Sequence, residues 1–312
     1  MKIIVSLMLL AGISFYAQAQ DDLSKLFDST GVRHPKVLYT YKGTRIIMGH
    51  STETLRKHEL DFRVDHRFGD LAGEFGGVKT FYGMDNSTDI RIGLEYGITD
   101  RLMVGLGRSK GSGAQRQLVD VLAKYRLLEQ TQDDHMPVSL SLLGSAVISC
   151  MTSEADPHQA AYFKDAADRL SYVAQAIVSR KFGILSLTLS PTFVHRNRVG
   201  YMDMNNLFAM GVGGRLKLSK RVGLIAEYYY PFRSDDSKNY YKKITSLYNP
   251  LAVGVEIETG GHVFHINFTN ATAIQETQFI PETTSSWLQG QYRWGFNISR
   301  RFTLFGKKDW KK

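Results

Sequence analysis

Along most of this chain the apolar residues fall on every second position. From Asp89 to Tyr96, Ile90, Ile92, Leu94 and Tyr96 alternate with Asp89, Arg91, Gly93 and Glu95. That is the period of a strand with one apolar and one charged face. Gly97-Ile98-Thr99-Asp100 reads as a tight turn, after which Leu102, Val104 and Leu106 oppose Met103, Gly105 and Gly107. The alternation recurs over Glu59 to His66, Leu118 to Leu128, Val138 to Cys150, Leu170 to Arg180 and Leu185 to Arg196. It continues over Asn206 to Leu218, Val222 to Phe232, Leu251 to Glu258, His262 to Asn270 and Trp287 to Ile298. The pattern predicts about twelve strands, an even number.

The connections supply an independent test. Those after the second, fourth, sixth, eighth and tenth strands are short, and the rest are longer. Short turns on one rim and longer loops on the other, with both termini at the short-turn rim, are the parity of a membrane barrel. No run of apolar residues beyond the leader approaches the ~20 that a membrane helix needs, so any crossing must be made by strands. The predicted fold is all-β: a transmembrane antiparallel up-and-down β-barrel with N- and C-termini periplasmic.

Residues 1–19 read as a signal peptide, with Lys2 as the charged start, an apolar run from Ile3 to Phe15, and a small-residue cleavage site at Ala17-Gln18-Ala19. Residues 20–49 form a polar periplasmic N-terminal segment, expected to cover the lower rim or to dock a periplasmic partner. Asp22 to Phe27 could form a short amphipathic helix there. The barrel is expected over residues 50–299 and a basic tail over 300–312, rich in Arg300, Arg301, Lys307, Lys308, Lys311 and Lys312. A single cysteine, Cys150, rules out an intramolecular disulfide and is expected to be a small buried or lipid-facing side chain. Mean hydropathy of −0.22 is compatible with a barrel, which exposes only alternate strand residues to lipid. Aromatic content of 12 % suits two interfacial girdles.

The chain resembles an uncharacterised family of Bacteroidetes outer-membrane β-barrel proteins. The resemblance rests on Leu60-Asp61-Phe62-Arg63-Val64-Asp65-His66-Arg67-Phe68-Gly69, on Ile90 to Arg108, on Lys124-Tyr125-Arg126 and on Met136-Pro137-Val138-Ser139. It implies a barrel in the bacterial outer membrane and supplies no activity.

Turning the polar face of each strand inward gives a lumen that can be counted. Its acidic residues are Glu59, Asp61, Asp65, Asp89, Glu95, Asp120, Glu227, Glu256 and Glu258. Its basic residues are Arg63, Arg91, Lys124, Arg126, Arg196, Arg215, Lys217 and Arg293. Near-balance of sign favours cross-strand ion pairs that fill the bore over a general anion porin. Two functions fit: a narrow solute channel or transport-system component, or a closed barrel anchoring or scaffolding periplasmic or surface partners. The loop from Arg67 to Ser87, with its glycines and aromatics, could fold into the mouth or lie over the rim.

The surplus of basic residues lies outside the lumen, with a formal net charge of +9. Lys238, Lys242 and Lys243, among tyrosines in an outer loop, are expected to meet lipopolysaccharide phosphates. Nucleic acid is not an expected partner, and no cofactor or metal site is predicted. An outer-membrane hydrolase is the remote alternative. Its candidate pairs, His66 with Asp65 and His195 with Ser190, have odd spacings that put the partners on opposite faces of a strand. His262 and His265 are split in the same way.

Overall fold

A computed structural model describes residues 34–305; the signal peptide, the Asp22–Phe27 helix and the lysines of the basic tail lie outside the described residues. Twelve antiparallel strands close into one barrel in which each strand pairs with its sequence neighbours and the last with the first. They are β1 Glu59–Asp70, β2 Ser87–Gly97, β3 Leu102–Ser109, β4 Leu118–Leu128, β5 Ser139–Ser149 and β6 Leu170–Phe182. After them come β7 Leu185–Arg196, β8 Asn206–Lys217, β9 Val222–Phe232, β10 Leu251–Thr259, β11 His262–Thr269 and β12 Arg293–Thr303. Two short helices lie in the longer loops, α1 Asp235–Ile244 and α2 Glu276–Glu282.

Alternation decides which face of each strand meets what. Phe62, Leu106, Leu189 and Ile266 point outward and are 41 %, 54 %, 53 % and 50 % exposed, although a soluble protein would cover them. Their strand neighbours Asp61, Arg63, Asp65, Asp89, Arg91, Asp120 and Lys124 point inward and are buried. Apolar outside and polar inside inverts the usual arrangement and suits a barrel standing in lipid.

Two strands differ from the sequence expectation. β1 runs past His66 to Asp70, because Arg67 and Phe68 continue the in–out alternation through a register irregularity. The closing strand starts at Arg293 rather than Trp287. Trp287–Gln289 forms a 3-10 turn that ends at Gly290, whose φ of 71° breaks the extended backbone. The same strand continues to Thr303, so Arg300 and Arg301 belong to the barrel wall and not to a tail.

The larger difference is in the segment before β1. Residues 40–55 are buried almost without exception. They do not cover a rim: they enter the lumen, turn back and leave on the same side. Arg45 pairs with His50, Ile46 N–H donates to Gly49 O at 2.9 Å, and Ser51 N–H donates to Thr44 O at 3.0 Å. This makes a small hairpin with Ile46, Ile47 and Met48 at its tip. From the opposite rim the loop between β11 and β12 folds inward and presents α2. The hairpin tip, Phe279 and Ile280 of α2, and wall residues such as Val194, Leu207, Ile225 and Tyr229 form one apolar core inside the barrel.

The loop 71–86 stays outside, with Phe75 72 % and Phe81 62 % exposed. It lies over the rim, and the β11–β12 loop takes the mouth. The apolar surface inside the bore is covered instead by Ala271, Ala273, Phe279 and Ile280. Cys150, just beyond β5, is exposed and not buried.

Candidate functional site

The lumen is the one place where the inward groups of most strands converge, and the hairpin is what they hold. Its tip rests on Glu227 of β9. That carboxylate accepts backbone N–H groups from Ile47 at 2.8 Å, Met48 at 2.5 Å and Gly49 at 3.3 Å. Successive N–H groups around a turn make a concave anion site, here filled by a side chain of the wall. Asn297 Nδ2 donates to Ile47 O at 2.7 Å on the other side of the tip.

The stem is fixed by polar contacts to the wall on all sides. Lys124 Nζ donates to Thr44 O at 2.9 Å and Ser51 O at 3.1 Å, and so ties the two arms together. Thr44 Oγ1 donates to Glu95 at 2.7 Å, and Ser141 Oγ to Thr52 O at 2.7 Å. Lower down, Ser186 Oγ donates to Thr40 O at 2.8 Å and Arg126 Nη2 to Thr54 O at 3.2 Å. Arg45 reaches across to the other half of the filling, where Nη1 donates to Glu276 of α2 at 3.1 Å. His50 Nε2 lies 3.4 Å from the same carboxylate oxygen.

The remaining charges pair along the wall. Arg91 makes a two-pronged contact to Asp120, Nε at 3.0 Å and Nη2 at 2.6 Å, and lies 3.8 Å from Asp65. Arg63 lies 3.7 Å from Asp65, and Arg215 pairs with Glu256 at 2.5 Å. Asp89 caps the inward loop by accepting the Ile274 N–H at 3.0 Å. At the long-loop rim Arg293 holds Asp70 at 2.6 Å. Arg196 holds Glu282 at 2.8 Å and Asp203 at 2.7 Å, and Arg233 reaches Asp203 at 2.7 Å. Burial works to raise the Asp203 carboxyl, but the two guanidinium groups hold it below the ordinary carboxylate range.

Not every charge assigned to the lumen is inside it. Glu59 and Glu258 stand half-buried at the short-turn rim, Glu258 paired with Lys42 at 2.7 Å, and Lys217 is exposed there. The strand ends extend past the filled part of the bore, so inward alternation alone does not bury a side chain. Arg126 stands partway, between Thr54 and Glu129. Conversely, Arg67 and His265 of the wall are fully lumenal, and Arg45, His50 and Glu276 are lumenal polar groups supplied by the segment before β1 and by the β11–β12 loop. Gly43-Thr44-Arg45-Ile46-Ile47-Met48-Gly49 was the available signal: a short apolar run between two glycines in an otherwise polar lead-in.

Asp65 is inward and His66 outward, Ser190 inward and His195 outward, and His262 and His265 lie on opposite faces. His66 packs on Phe68 and Phe296 instead, and His195 contacts Asn206 and Asn197. Among the described residues no group of His, Cys, Asp and Glu is arranged to hold a metal ion. Lys238 and Lys242 line a cleft beside α1, and Lys243 stands outside it.

Gly49 is required where the tip meets the wall. A Cβ there would lie 1.8 Å from the Tyr229 hydroxyl and 2.9 Å from its ring. Gly49→Val is therefore expected to lift the tip off Glu227 while leaving the strands intact. Hydrogen exchange should show faster exchange at Ile47 and Met48 with unchanged protection in β9; unchanged exchange at the tip would refute the contact.

No curated protein sequence matches the chain. Among solved structures it is similar to the NanC porin at 10 % identity and a TM-score of 0.45, covering 78 % of this chain and 100 % of that one. An outer membrane channel from Pseudomonas putida F1 matches at 11 % identity and 0.46, covering 80 % and 98 %. The KdgM porin matches at 9 % and 0.43, covering 78 % and 99 %. A family model described as a membrane bound beta barrel domain, DUF5777, matches residues 41–302, a span that takes in the lumenal hairpin from Tyr41 onward as well as the wall. The chain thus belongs to this family of membrane-bound β-barrels.

Proposed function

We propose that this protein is an outer-membrane channel for small polar solutes, held closed by its own N-terminal hairpin. One observation carries the reading: the wall does not fill its own bore. Inward positions around β5 to β8 are small, among them Ser141, Ser179, Ser186, Thr188, Ser190, Gly211 and Gly213. A barrel of about twelve strands encloses more space than such side chains can occupy. The rest is occupied by a segment that enters and leaves by one rim, its tip set in the apolar core and its stem held mainly by hydrogen bonds to its backbone. Polar contacts of that kind can be exchanged for water when the segment withdraws, whereas a bore packed by wall side chains could not open.

The charges exposed by withdrawal are mixed in sign, which suits a polar solute better than an ion of one sign. The split of each candidate catalytic pair across the wall supports a role without catalysis. The reading also places the long loops at the cell surface.

Planar-bilayer recording of the intact chain and of Glu227→Ala tests the proposal. The intact protein should open rarely. Loss of the carboxyl group removes two short hydrogen bonds to the tip, together worth about 3 kcal/mol, and should raise the open fraction about 100-fold. Identical silence from both folded proteins would instead favour the closed anchor or scaffold.

A further inference from the structure

The outer wall of β8 to β10 carries a feature that gating does not use. Gly214 and Ala226 face outward at paired positions, with Val253 beside Ala226 on β10. These small side chains leave a trough of about 580 Å³, walled by Leu216, Leu224 and Phe268 and almost wholly apolar. A uniform wall of Leu and aromatic residues would present no trough. Four residues further along β9, about 13 Å toward the long-loop rim at strand rise, Tyr230 forms the lip of a cleft of about 440 Å³.

The cleft is cationic where the trough is apolar. Lys238 and Lys242 lie one helical turn apart on α1 and both line it. Among the described residues Lys238 forms an ion pair only with Asp235, at 3.3 Å with both side chains exposed, a contact that water largely screens. Lys242 makes no ion pair among the described residues. Arg233, also in the lining, is already committed to Asp203 and the Pro281 carbonyl. Two ammonium groups are therefore available, with the Tyr230 and Tyr228 rings, 44 % and 36 % exposed, forming the surface between cleft and trough.

We infer that this face binds one phosphorylated membrane lipid, its phosphate between Lys238 and Lys242 and an acyl chain in the Gly214–Ala226 trough. Charge complementarity selects an anionic headgroup, the aromatic strip suits the interface between headgroup and chain, and the spacing is that of one amphiphile. In the orientation proposed above this leaflet is the outer one, so the lipid is lipid A of lipopolysaccharide; the inference rests on that reading for the identity of the lipid alone.

Native mass spectrometry of the full chain, delipidated in detergent and titrated with lipid A, tests it. One lipid A per barrel is expected. Lys238→Ala with Lys242→Ala should weaken binding about tenfold or more. Ala226→Trp, which fills the trough, should weaken it while leaving the lysines in place. Both variants should conduct as the intact chain does, which separates failure of this site from failure of the channel reading. Unchanged affinity in the double lysine variant would overturn the inference. So would equal displacement by inorganic phosphate, which would mark a site for the free ion, and so would a dimer that Ala226→Trp dissociates, which would mark the trough as a contact between copies. Equal affinity for phosphatidylglycerol would overturn the assignment to lipid A.

Discussion

Deleting residues 40–55 and joining the flanks with a short Gly-Ser linker is expected to turn a rarely open barrel into a steadily conducting one. The wall's hydrogen-bond ladder closes without the hairpin, since β1 pairs with β12 from Glu59 to Asp70. The barrel should therefore still insert and keep its resistance to detergent unfolding until heated. Glu227, Lys124 and Glu95 lose the hairpin together and face water at the same time, so none is left dry and unpaired. The cost in stability should therefore come from the lost apolar contacts of Ile46, Ile47 and Met48 and not from stranded charge, while conductance should appear in every insertion event. A correctly folded deletion barrel that shows no steps would end the gating proposal. The intermediate case is informative too: α2 still occupies the far mouth, so it would set the residual diameter.

The second large effect is expected at Arg91. It is fully buried, grips Asp120 with two nitrogens and stands 3.8 Å from Asp65. Arg91→Met would strand the Asp120 carboxylate in a dry lumen and leave Asp65 with Arg63 alone, at a cost of about 3–5 kcal/mol. Asp120 also accepts Gln275 Nε2 at 2.5 Å, so the pair supports the inward loop as well as the wall. Gly107 is small for the same reason: a Cβ there would lie 2.4 Å from Arg91 Nη2 and from Asp120 Oδ1. Urea unfolding in lipid vesicles should show Arg91→Met strongly destabilised and Arg91→Met with Asp120→Leu less so, because the double change removes the stranded charge. Equal losses in the two would show that the pairing is not what Arg91 contributes.

The wall was legible in the sequence and its contents were not. Ile90 to Leu94 and Leu185 to Leu189 announce strands because lipid on one side and a polar bore on the other impose strict alternation. The same alternation fixes closure, since an even set of hairpins with unequal loops leaves β1 and β12 free to meet. The hairpin carries no such signal. Thr44 to Thr54 is buried by the complementarity of a surrounding wall, which comes from residues as distant in sequence as Asn297 and touches the segment through its backbone. Backbone contacts leave little trace in side-chain choice. Between the loops, 71–86 and 271–286 differ in where their apolar residues find cover, and only the assembled bore decides that. Glu227 could be placed inside by alternation, but its role as a latch needed the tip of another segment to be located first.

Arg45 belongs to a segment entering by one rim and holds Glu276, which belongs to a loop entering by the other. The two ends of the barrel are therefore linked mechanically through its axis. A contact made with the long loops that shifted α2 would pull on a salt bridge whose far end lies in the chain leading to the opposite compartment. A tug on that chain would in turn be transmitted to the long loop at the other rim. Information could cross the bilayer along this path even when no solute does.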